Sequence, residues 1–299
     1  MTMEAPEGQV KLTPGLYLVA TPIGNLRDVT LRALDVLRSA SVVACEDTRI
    51  TRRLLDRYDI TTPLSRYDDH SSEADRQRLI DRMKAGEAVA LASDAGTPLV
   101  SDPGFKLVRA AIAEGVDVVP IPGPSSVLAA LCLAGLPTDR FSFGGFLPEK
   151  QVARQNALNE ALRLPGTIVV FESARRLPAS LADLAAIAPG RPVVVARELT
   201  KHFEEAVRGT AAELAARYHK DGPPRGEVVL VIGPPDEADP DAADLDAALR
   251  SALRDLSVKE ASSAVAFMLK LPRRQVYARA VELSQATASP DDADSAKNN

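Results

Sequence analysis

The chain has 299 residues, of which 45% are hydrophobic and 26% are charged, and its formal net charge at pH 7 is −5. This composition is typical of a soluble globular protein, and the length allows two domains. The negative charge argues against bulk electrostatic binding to nucleic acid. Because no apolar run of about eighteen residues and no secretory signal occur, we expect a cytoplasmic protein without a membrane span. The isolated Cys45 and Cys132 are expected to be small core residues.

The first half of the chain alternates short apolar runs with amphipathic stretches. Strands are predicted at 16–20, 42–45, 88–92 and 116–119. Five helices are predicted: one that begins near Thr30, three over 48–58, 71–85 and 105–113, and one that follows Ser125. This alternation predicts a mainly parallel sheet covered by helices. Thr30 is suited to cap its helix, and the helix over 48–58 is amphipathic and basic.

The second half of the chain predicts a further α/β domain and a helical module. Strands are predicted at 141–146, 167–171, 192–196 and 227–232, with helices near 151–163, 175–187 and 210–220 and room for antiparallel pairing. The predicted organisation is a first domain over 14–136, a second over 137–233, a linker over 234–243, a helical module over 244–285 and a disordered tail over 286–299. Within the module, helices are predicted near 244–255, 258–269 and 273–285. The stretch 234–255 is acidic and the stretch 257–284 is basic, so the net charge of the whole chain conceals a basic C-terminal part.

Two loops rich in glycine and proline carry the strongest functional signal. Ser93–Gly104 follows the predicted strand at 88–92, and Pro120–Ser126 follows the strand at 116–119. Gly and Pro fix the loop shape and leave backbone groups exposed, and open α/β sheets bind ligands at the carboxyl ends of their strands. The loops therefore predict a site for a nucleotide-like ligand, and the alternative is that they are only structural turns.

Several strings of residues, met in chain order, resemble one known family. They are Thr21–Thr30, Glu46–Arg49, Ser93–Pro98, Asp102–Gly104, Pro122–Pro124, Leu136–Phe141, Gly145–Pro148, Phe171–Ser173, Ala196–Lys201 and Gly226–Glu227. On these strings the chain resembles the tetrapyrrole methylase superfamily of S-adenosylmethionine-dependent methyltransferases, and within it the bacterial 16S rRNA (cytidine-2′-O)-methyltransferases. One departure is Tyr67–Ser72, which keeps His70 where the family has a histidine-rich string. The chain lacks G-x-G-x-x-G, which disfavours a Rossmann-type enzyme, and G-x-x-x-x-G-K-[ST], which excludes a P-loop hydrolase.

The resemblance implies two α/β domains with S-adenosyl-L-methionine in the cleft between them. It further implies a homodimer that needs no metal and acts on 16S rRNA of the 30S ribosomal subunit. The cofactor residues carried over from the family are Pro22, Ile23, Asp94, Gly96, Thr97, Pro98, Val100, Ser125, Ser126, Phe171 and Ala196. For Asp94 a second role is equally open, since Asp often forms a turn by bonding to its own backbone in such loops.

The expected catalytic residues are Glu46, Arg49 and Lys201. A carboxylate such as Glu46 at a strand end would take the proton of the acceptor hydroxyl, while Arg49 would pair with a phosphate group. Asp47 is better explained as the N-cap of the following helix. Lys201 is expected to anchor a phosphate, and an ion-pair network is its alternative role.

The C-terminal module resembles a helix-turn-helix, and its predicted RNA-binding residues are Lys270, Arg273, Arg274 and Arg279. Side chains cannot read the deep major groove of A-form RNA, so we expect contacts to the RNA backbone. The alternative is that the module only packs on a partner subunit. Three functions stay open: rRNA ribose methylation, methylation of a corrinoid or porphyrin by the same fold, and RNA binding without catalysis.

Overall fold

The computed structural model describes residues 10–234, 242–269, 271 and 273–286. The chain divides into two compact units, Met1–Pro234 and Pro235–Asn299. No helix in the described ranges is long and apolar enough to cross a membrane.

The first sheet of the larger unit is entirely parallel. Its strands are β1 (Gly15–Val19), β2 (Val42–Cys45), β3 (Leu64–Arg66), β4 (Ala88–Ala92) and β5 (Val118–Ile121), in the order β3-β2-β4-β1-β5. The accompanying helices are α1 (Leu31–Ser39), α2 (Thr48–Arg57), α3 (Glu73–Lys84), α4 (Phe105–Ala113) and α5 (Ser126–Ala134). Every residue of β4 is buried, as expected for a central strand whose sheet is covered on both faces. The predicted parallel sheet and the predicted cap of α1 by Thr30 are confirmed.

The second sheet of the same unit is mixed. Its strands are β6 (Phe141–Phe146), β7 (Thr167–Ser173), β8 (Pro192–Arg197), β9 (Glu205–Thr210) and β10 (Glu227–Ile232), in the order β6-β7-β10-β8-β9. Its helices are α6 (Gln151–Ala161), α7 (Leu177–Ile187) and α8 (Ala211–Asp221). The β6–β7 pair is parallel and the other pairs are antiparallel, in keeping with the sequence prediction.

Helix α5 follows the first sheet in the chain but packs against the second. Its buried residues Val127, Ala130, Leu131 and Ala134 lie in one apolar cluster with residues of β7, β8 and β10. The helix ends at Gly135, which adopts a left-handed φ of 72°. Arg208 of β9 donates from Nε to the carbonyl of Ala134 at 3.2 Å. A residue of the second sheet therefore provides a hydrogen bond to a carbonyl at the C-terminal end of this helix.

Three local predictions need correction. Strand β5 lies at 118–121 and not at 116–119, because Pro120, which lacks an N–H donor, is tolerated in a strand at the edge of the sheet. Strands β3 and β9 were not predicted, since one is three residues long, the other is largely polar, and both are edge strands. Cys132 is exposed on the solvent side of α5, whereas Cys45 is buried as predicted.

The smaller unit contains three helices in its described part. They are α9 (Ala242–Ala252), α10 (Val258–Leu269) and α11 (Arg273–Ala286). Their shared core consists of Leu245, Leu249, Val265, Ala266, Val276, Ala280 and Leu283. Helix α9 begins inside the predicted linker and α11 takes in Ala286 of the predicted tail. The rest of that linker and tail, 235–241 and 287–299, lies outside the described residues.

Candidate active site

A cavity of about 450 Å³ lies between the carboxyl ends of the first sheet and the strands of the second. Sites for small molecules commonly have volumes of roughly 300–1,000 Å³. The predicted cofactor residues that line it are Ile23, Asp94, Gly96, Thr97, Val100, Ser125, Ser126, Phe171 and Ala196. The structure therefore brings together residues from two sheets that are as far apart in the sequence as Ile23 and Ala196.

Two predicted cofactor residues, Pro22 and Pro98, are not among the residues that line the cavity. Pro98 is buried and Pro22 is half-buried. Each immediately follows a threonine, Thr21 or Thr97, whose hydroxyl bonds to a carbonyl of another loop. These prolines therefore shape the backbone beside the cavity.

Hydrogen bonds lock three loops together at the floor of the cavity. Thr21 and Gly96 form an isolated antiparallel bridge, with N···O distances of 2.9 and 3.0 Å. The Thr21 hydroxyl donates to the carbonyl of Ser93 at 2.8 Å, and the Thr97 hydroxyl donates to the carbonyl of Pro124 at 3.1 Å. The loop after β1 and the two glycine- and proline-rich loops are thus held in fixed positions relative to one another.

The loop after β4 contains backbone conformations that most residues avoid. Gly96 has φ of +85°, and a Cβ at this position would lie 3.3 Å from Cγ2 of Ile23. Leu99 and Ser101 have φ of 74° and 57° although neither is glycine. Non-glycine residues held in this region carry a cost and are concentrated at functional sites.

The aromatic wall of the cavity comes from the second sheet. The ring of Phe171 packs edge-to-face against Phe143 and Phe146, at centroid distances of 4.9 and 5.2 Å. Phe146 remains 59% exposed although it is a large apolar residue. An exposed aromatic face in a cavity is suited to stack against a planar ligand group.

Asp94 links two strand ends. Its Oδ1 accepts a hydrogen bond from the backbone N–H of Asp47 at 3.0 Å. The turn within its own loop is made by Ser93, whose hydroxyl accepts from the N–H of Ala95 at 3.2 Å, and not by Asp94 as in the alternative interpretation. Burial raises the pKa of Asp94, while the bond from Asp47 opposes the shift.

The cavity is negatively charged. Its described lining includes four carboxylates, Asp94, Asp102, Glu172 and Glu227, and no Lys, Arg or His. Glu172 is neutralised by Arg176 at 2.7 Å and Glu227 by Lys201 at 3.1 Å. Asp94 and Asp102 have no such cationic partner among the described ion pairs, so the site is suited to a ligand that carries positive charge.

Asp102 is a site residue that sequence reasoning missed. It lines the cavity, and its pKa is raised to about 6, first by burial and then by the negative charges of Glu46, Asp94 and Asp69, against the effect of Ser93. Its position inside the loop 93–104, which was itself predicted to bind a ligand, was the available signal.

The predicted catalytic pair Glu46 and Arg49 lies outside the cavity lining. Glu46 is exposed just after β2, and partial desolvation together with Asp94, Asp68 and Asp69 raises its pKa. Asp47 is the N-cap of α2 as predicted, since it accepts from the N–H of Arg49 at 2.8 Å. Arg49 pairs with this carboxylate at 2.6 Å while its side chain stays 86% exposed.

Lys201 belongs to an ion-pair network and does not line the cavity. Its Nζ contacts Glu198 at 2.8 Å and Glu227 at 3.1 Å. The same loop reaches the first sheet, since the Thr200 hydroxyl accepts from the N–H of Asn25 at 3.1 Å. A Cβ on Gly24 would lie 2.5 Å from Cγ of Lys201. This geometry matches the alternative role given to Lys201, and its phosphate-anchoring role stays a prediction.

In the smaller unit, the predicted RNA-binding residues have different surroundings. Arg273 and Arg274 are exposed at the start of α11. Arg279 forms a bidentate pair with Asp246, at 2.7 Å for both bonds, and also contacts Glu282; hydrogen bonding to Asp246 is the largest cause of its raised pKa. Arg279 thus joins α11 to α9. Lys270 lies outside the described residues.

Within the described ranges, no group of three or more His, Cys, Asp or Glu side chains has a geometry that could hold a metal ion. His70 is exposed, and its backbone N–H donates to Asp68 at 2.9 Å.

Comparison with known proteins gives a consistent family. Residues 15–215 match the family described as Tetrapyrrole (Corrin/Porphyrin) Methylases, and residues 239–284 match the RsmI C-terminal HTH domain. The chain is 47% identical over 281 residues to ribosomal RNA small subunit methyltransferase I of Mesorhizobium japonicum, with 94% of this chain and 96% of that protein covered. It is 44% identical over 275 residues to the protein of the same name from Synechocystis sp., with 90% and 98% covered.

Solved structures agree on the fold. The uroporphyrin-III C-methyl transferase from Thermus thermophilus, complexed with S-adenyl homocysteine, superposes with a TM-score of 0.52 at 23% identity and covers 73% of this chain and 97% of that chain. The predicted fold class, two α/β parts of tetrapyrrole methylase type followed by a helical module, is confirmed. The chain belongs to the tetrapyrrole methylase family and, within it, to the group of proteins named ribosomal RNA small subunit methyltransferase I.

Proposed function

We propose that this protein is an S-adenosyl-L-methionine-dependent methyltransferase that methylates the ribose 2′-oxygen of a cytidine in 16S rRNA of the 30S subunit. The observation that carries the proposal is the match over almost the whole chain, catalytic part and C-terminal module together, to relatives named for rRNA methylation. Because its substrate is ribosomal, we place the activity in the bacterial cytoplasm.

The cavity fits the proposed methyl donor. S-adenosyl-L-methionine supplies an electrophilic methyl group on a positively charged sulfur. In the described lining no cation accompanies the carboxylates of Asp94 and Asp102, which suits that charge, and the ring of Phe146 offers a face for the adenine. The start of α5 at Ser125 and Ser126 presents backbone N–H groups that suit a carboxylate.

The surface beside the cavity supports an RNA acceptor. Arg49, Arg53 and Arg57 are exposed on α2 at intervals of four residues, so they form one positive stripe on that helix. Helix α2 begins at Thr48, two residues after Glu46, at the strand ends that face the cavity. We assign phosphate contacts to this stripe, with Arg49 next to the acceptor hydroxyl.

The homodimer is part of the proposal and rests on the family resemblance. One surface feature supports it: Phe105 and Ile112, seven positions apart on α4, are 64% and 62% exposed. Residues seven apart share one face of a helix, so α4 presents an apolar strip that a second copy would cover.

The function is tested by incubating the purified full-length protein with methyl-labelled S-adenosylmethionine and one of three acceptors: 30S subunits, free 16S rRNA, or uroporphyrinogen. We expect label on a cytidine ribose of 16S rRNA and none on the tetrapyrrole. Label on uroporphyrinogen would support the small-molecule alternative. Binding of S-adenosylhomocysteine without any transfer would favour a non-catalytic RNA-binding protein.

The donor site is tested by Gly96→Val. A side chain here would meet Ile23, and the left-handed φ costs a branched residue about 1–2 kcal/mol, so the loop must move away from the ligand. We expect the calorimetric Kd for S-adenosylhomocysteine to rise more than about tenfold, equivalent to roughly 1.4 kcal/mol. The matched control is Gly115→Val, at φ of +70° with open space around its Cβ position, which should leave the affinity unchanged. Equal affinities in both variants would remove this loop from the donor site.

The C-terminal module is tested by reversing charge on α11. Arg273→Glu with Arg274→Glu should weaken binding to 16S rRNA, because two phosphate contacts are lost. The slope of log K against log salt concentration should become less negative by about one to two. The control is Arg163→Glu with Lys220→Glu, which changes the net charge equally at two exposed positions of the larger unit. If both double variants bind and methylate as the wild type does, α11 makes no contact with RNA.

A further inference from the structure

The carboxylate of Asp102 has a hydroxyl neighbour, Ser93, but no described cation balances its charge. Asp102 is half-buried in the lining, yet no lysine or arginine pairs with it in the described part of the chain. The buried Glu172, by contrast, is held by Arg176, Ser180 and the N–H of Ser173. A half-buried carboxylate without a cation is costly to keep ionised, so its presence in a cavity calls for a role.

Capping of the next helix does not explain Asp102. An aspartate shortly before a helix commonly serves as its N-cap. Helix α4 instead begins after Gly104, whose φ is +125°, and no side chain caps it. Gly104 is required there, because a Cβ would lie 2.6 Å from Cδ2 of Leu91. The close approach to the buried strand fixes the end of the loop and leaves the carboxyl of Asp102 available to a ligand.

Asp102 lies where the donor cavity meets the acidic strand ends. The charged groups that act on it are Glu46 after β2, Asp69 after β3 and Asp94 after β4, with Ser93 as a hydroxyl neighbour. A Cβ on Gly145 of β6 would lie 3.5 Å from the Ser101 hydroxyl, so the residue preceding Asp102 also faces the second sheet. Asp102 is therefore in the cavity lining, whereas Glu46 stands outside it.

We propose that Asp102 is the carboxylate that accepts the proton of the acceptor hydroxyl, the role that the sequence assigned to Glu46. The inference rests on the proposed function. Transfer forms the bond between the hydroxyl oxygen and the methyl carbon and breaks the carbon–sulfur bond, whose electron pair stays on sulfur, while the hydroxyl proton passes to Asp102. Glu46 acts through its charge, which raises the proton affinity of Asp102.

This assignment has a pH signature. Asp102 must be ionised to accept a proton, and burial together with three neighbouring carboxylates places its pKa at about 6. The rate should therefore rise with pH through about 6 and level off above it. Removing the charge of Glu46 lowers the pKa of Asp102, so the rising limb should move to lower pH in Glu46→Gln.

The test measures methyl transfer to 30S subunits under single-turnover conditions as a function of pH, for full-length wild type, Asp102→Asn, Asp102→Glu and Glu46→Gln. We expect Asp102→Asn to lower the rate by about a hundredfold or more, and Asp102→Glu to restore part of it. S-adenosylhomocysteine lacks the sulfonium charge that the Asp102 carboxylate faces, so calorimetry should still detect its binding to Asp102→Asn, which shows that the fold and the donor site are intact. Asp221→Asn, an exposed carboxylate at the end of α8, is the control for loss of a charge.

The outcomes separate the two claims. A wild-type rate for Asp102→Asn, or a loss of about a hundredfold in Glu46→Gln without movement of the pH profile, overturns the assignment. No transfer by the wild-type protein contradicts the proposed function, and this inference with it. A shift of the rising limb in Glu46→Gln, together with the loss in Asp102→Asn, establishes Asp102 as the proton acceptor.

Discussion

The packing of α5 against the second sheet is the contact on which the donor site depends. Burial of its apolar residues, of which Val127 and Leu131 are the largest, contributes about 1.5–3 kcal/mol for each such side chain. The start of the same helix, at Ser125, belongs to the loop that Thr97 holds against the first sheet. One helix therefore joins the two sheets. The cavity between them is held open because the start of α5 is fixed to the first sheet and its apolar face is fixed to the second.

Charge divides the larger unit into two functional regions. The cavity is acidic, whereas the exposed stripe on α2 is basic, and the two meet at the strand end that carries Glu46 and Asp47. A cationic donor and an anionic acceptor are thus met by opposite charges within a short distance. The formal charge of −5 for the whole chain conceals this division, as it conceals the arginines at the start of α11.

Local signals in the sequence were sufficient for the central strands and for the loops that form the cavity. The two loops that contain Gly96, Thr97 and Ser125 were predicted because turn residues follow apolar strands, and that pattern is contiguous in the sequence. The individual cofactor residues in them were carried over from the family resemblance. Asp102 was missed because its raised pKa depends on burial in the cavity and on neighbours from other strand ends, neither of which a local pattern shows. The sequence left two roles open for Lys201, a phosphate anchor and a member of an ion-pair network. Its contact with Glu198 is local, but its contact with Glu227, 26 positions away, leaves no local pattern. The packing of α5 against the second sheet could not be predicted either, because the spacing of its apolar residues shows that one face is buried but not which sheet buries it.

Hydrogen–deuterium exchange of the full-length protein with and without S-adenosylhomocysteine tests most directly whether both sheets build the donor site. A ligand bound in the cavity should slow exchange in the loop 93–101, at the start of α5, and in the segments around Phe171 and Gly226, because all of these line it. Helices α3 and α6, which contribute no lining residue, should exchange at unchanged rates. Slowed exchange confined to one sheet, or centred away from these segments, would contradict the account.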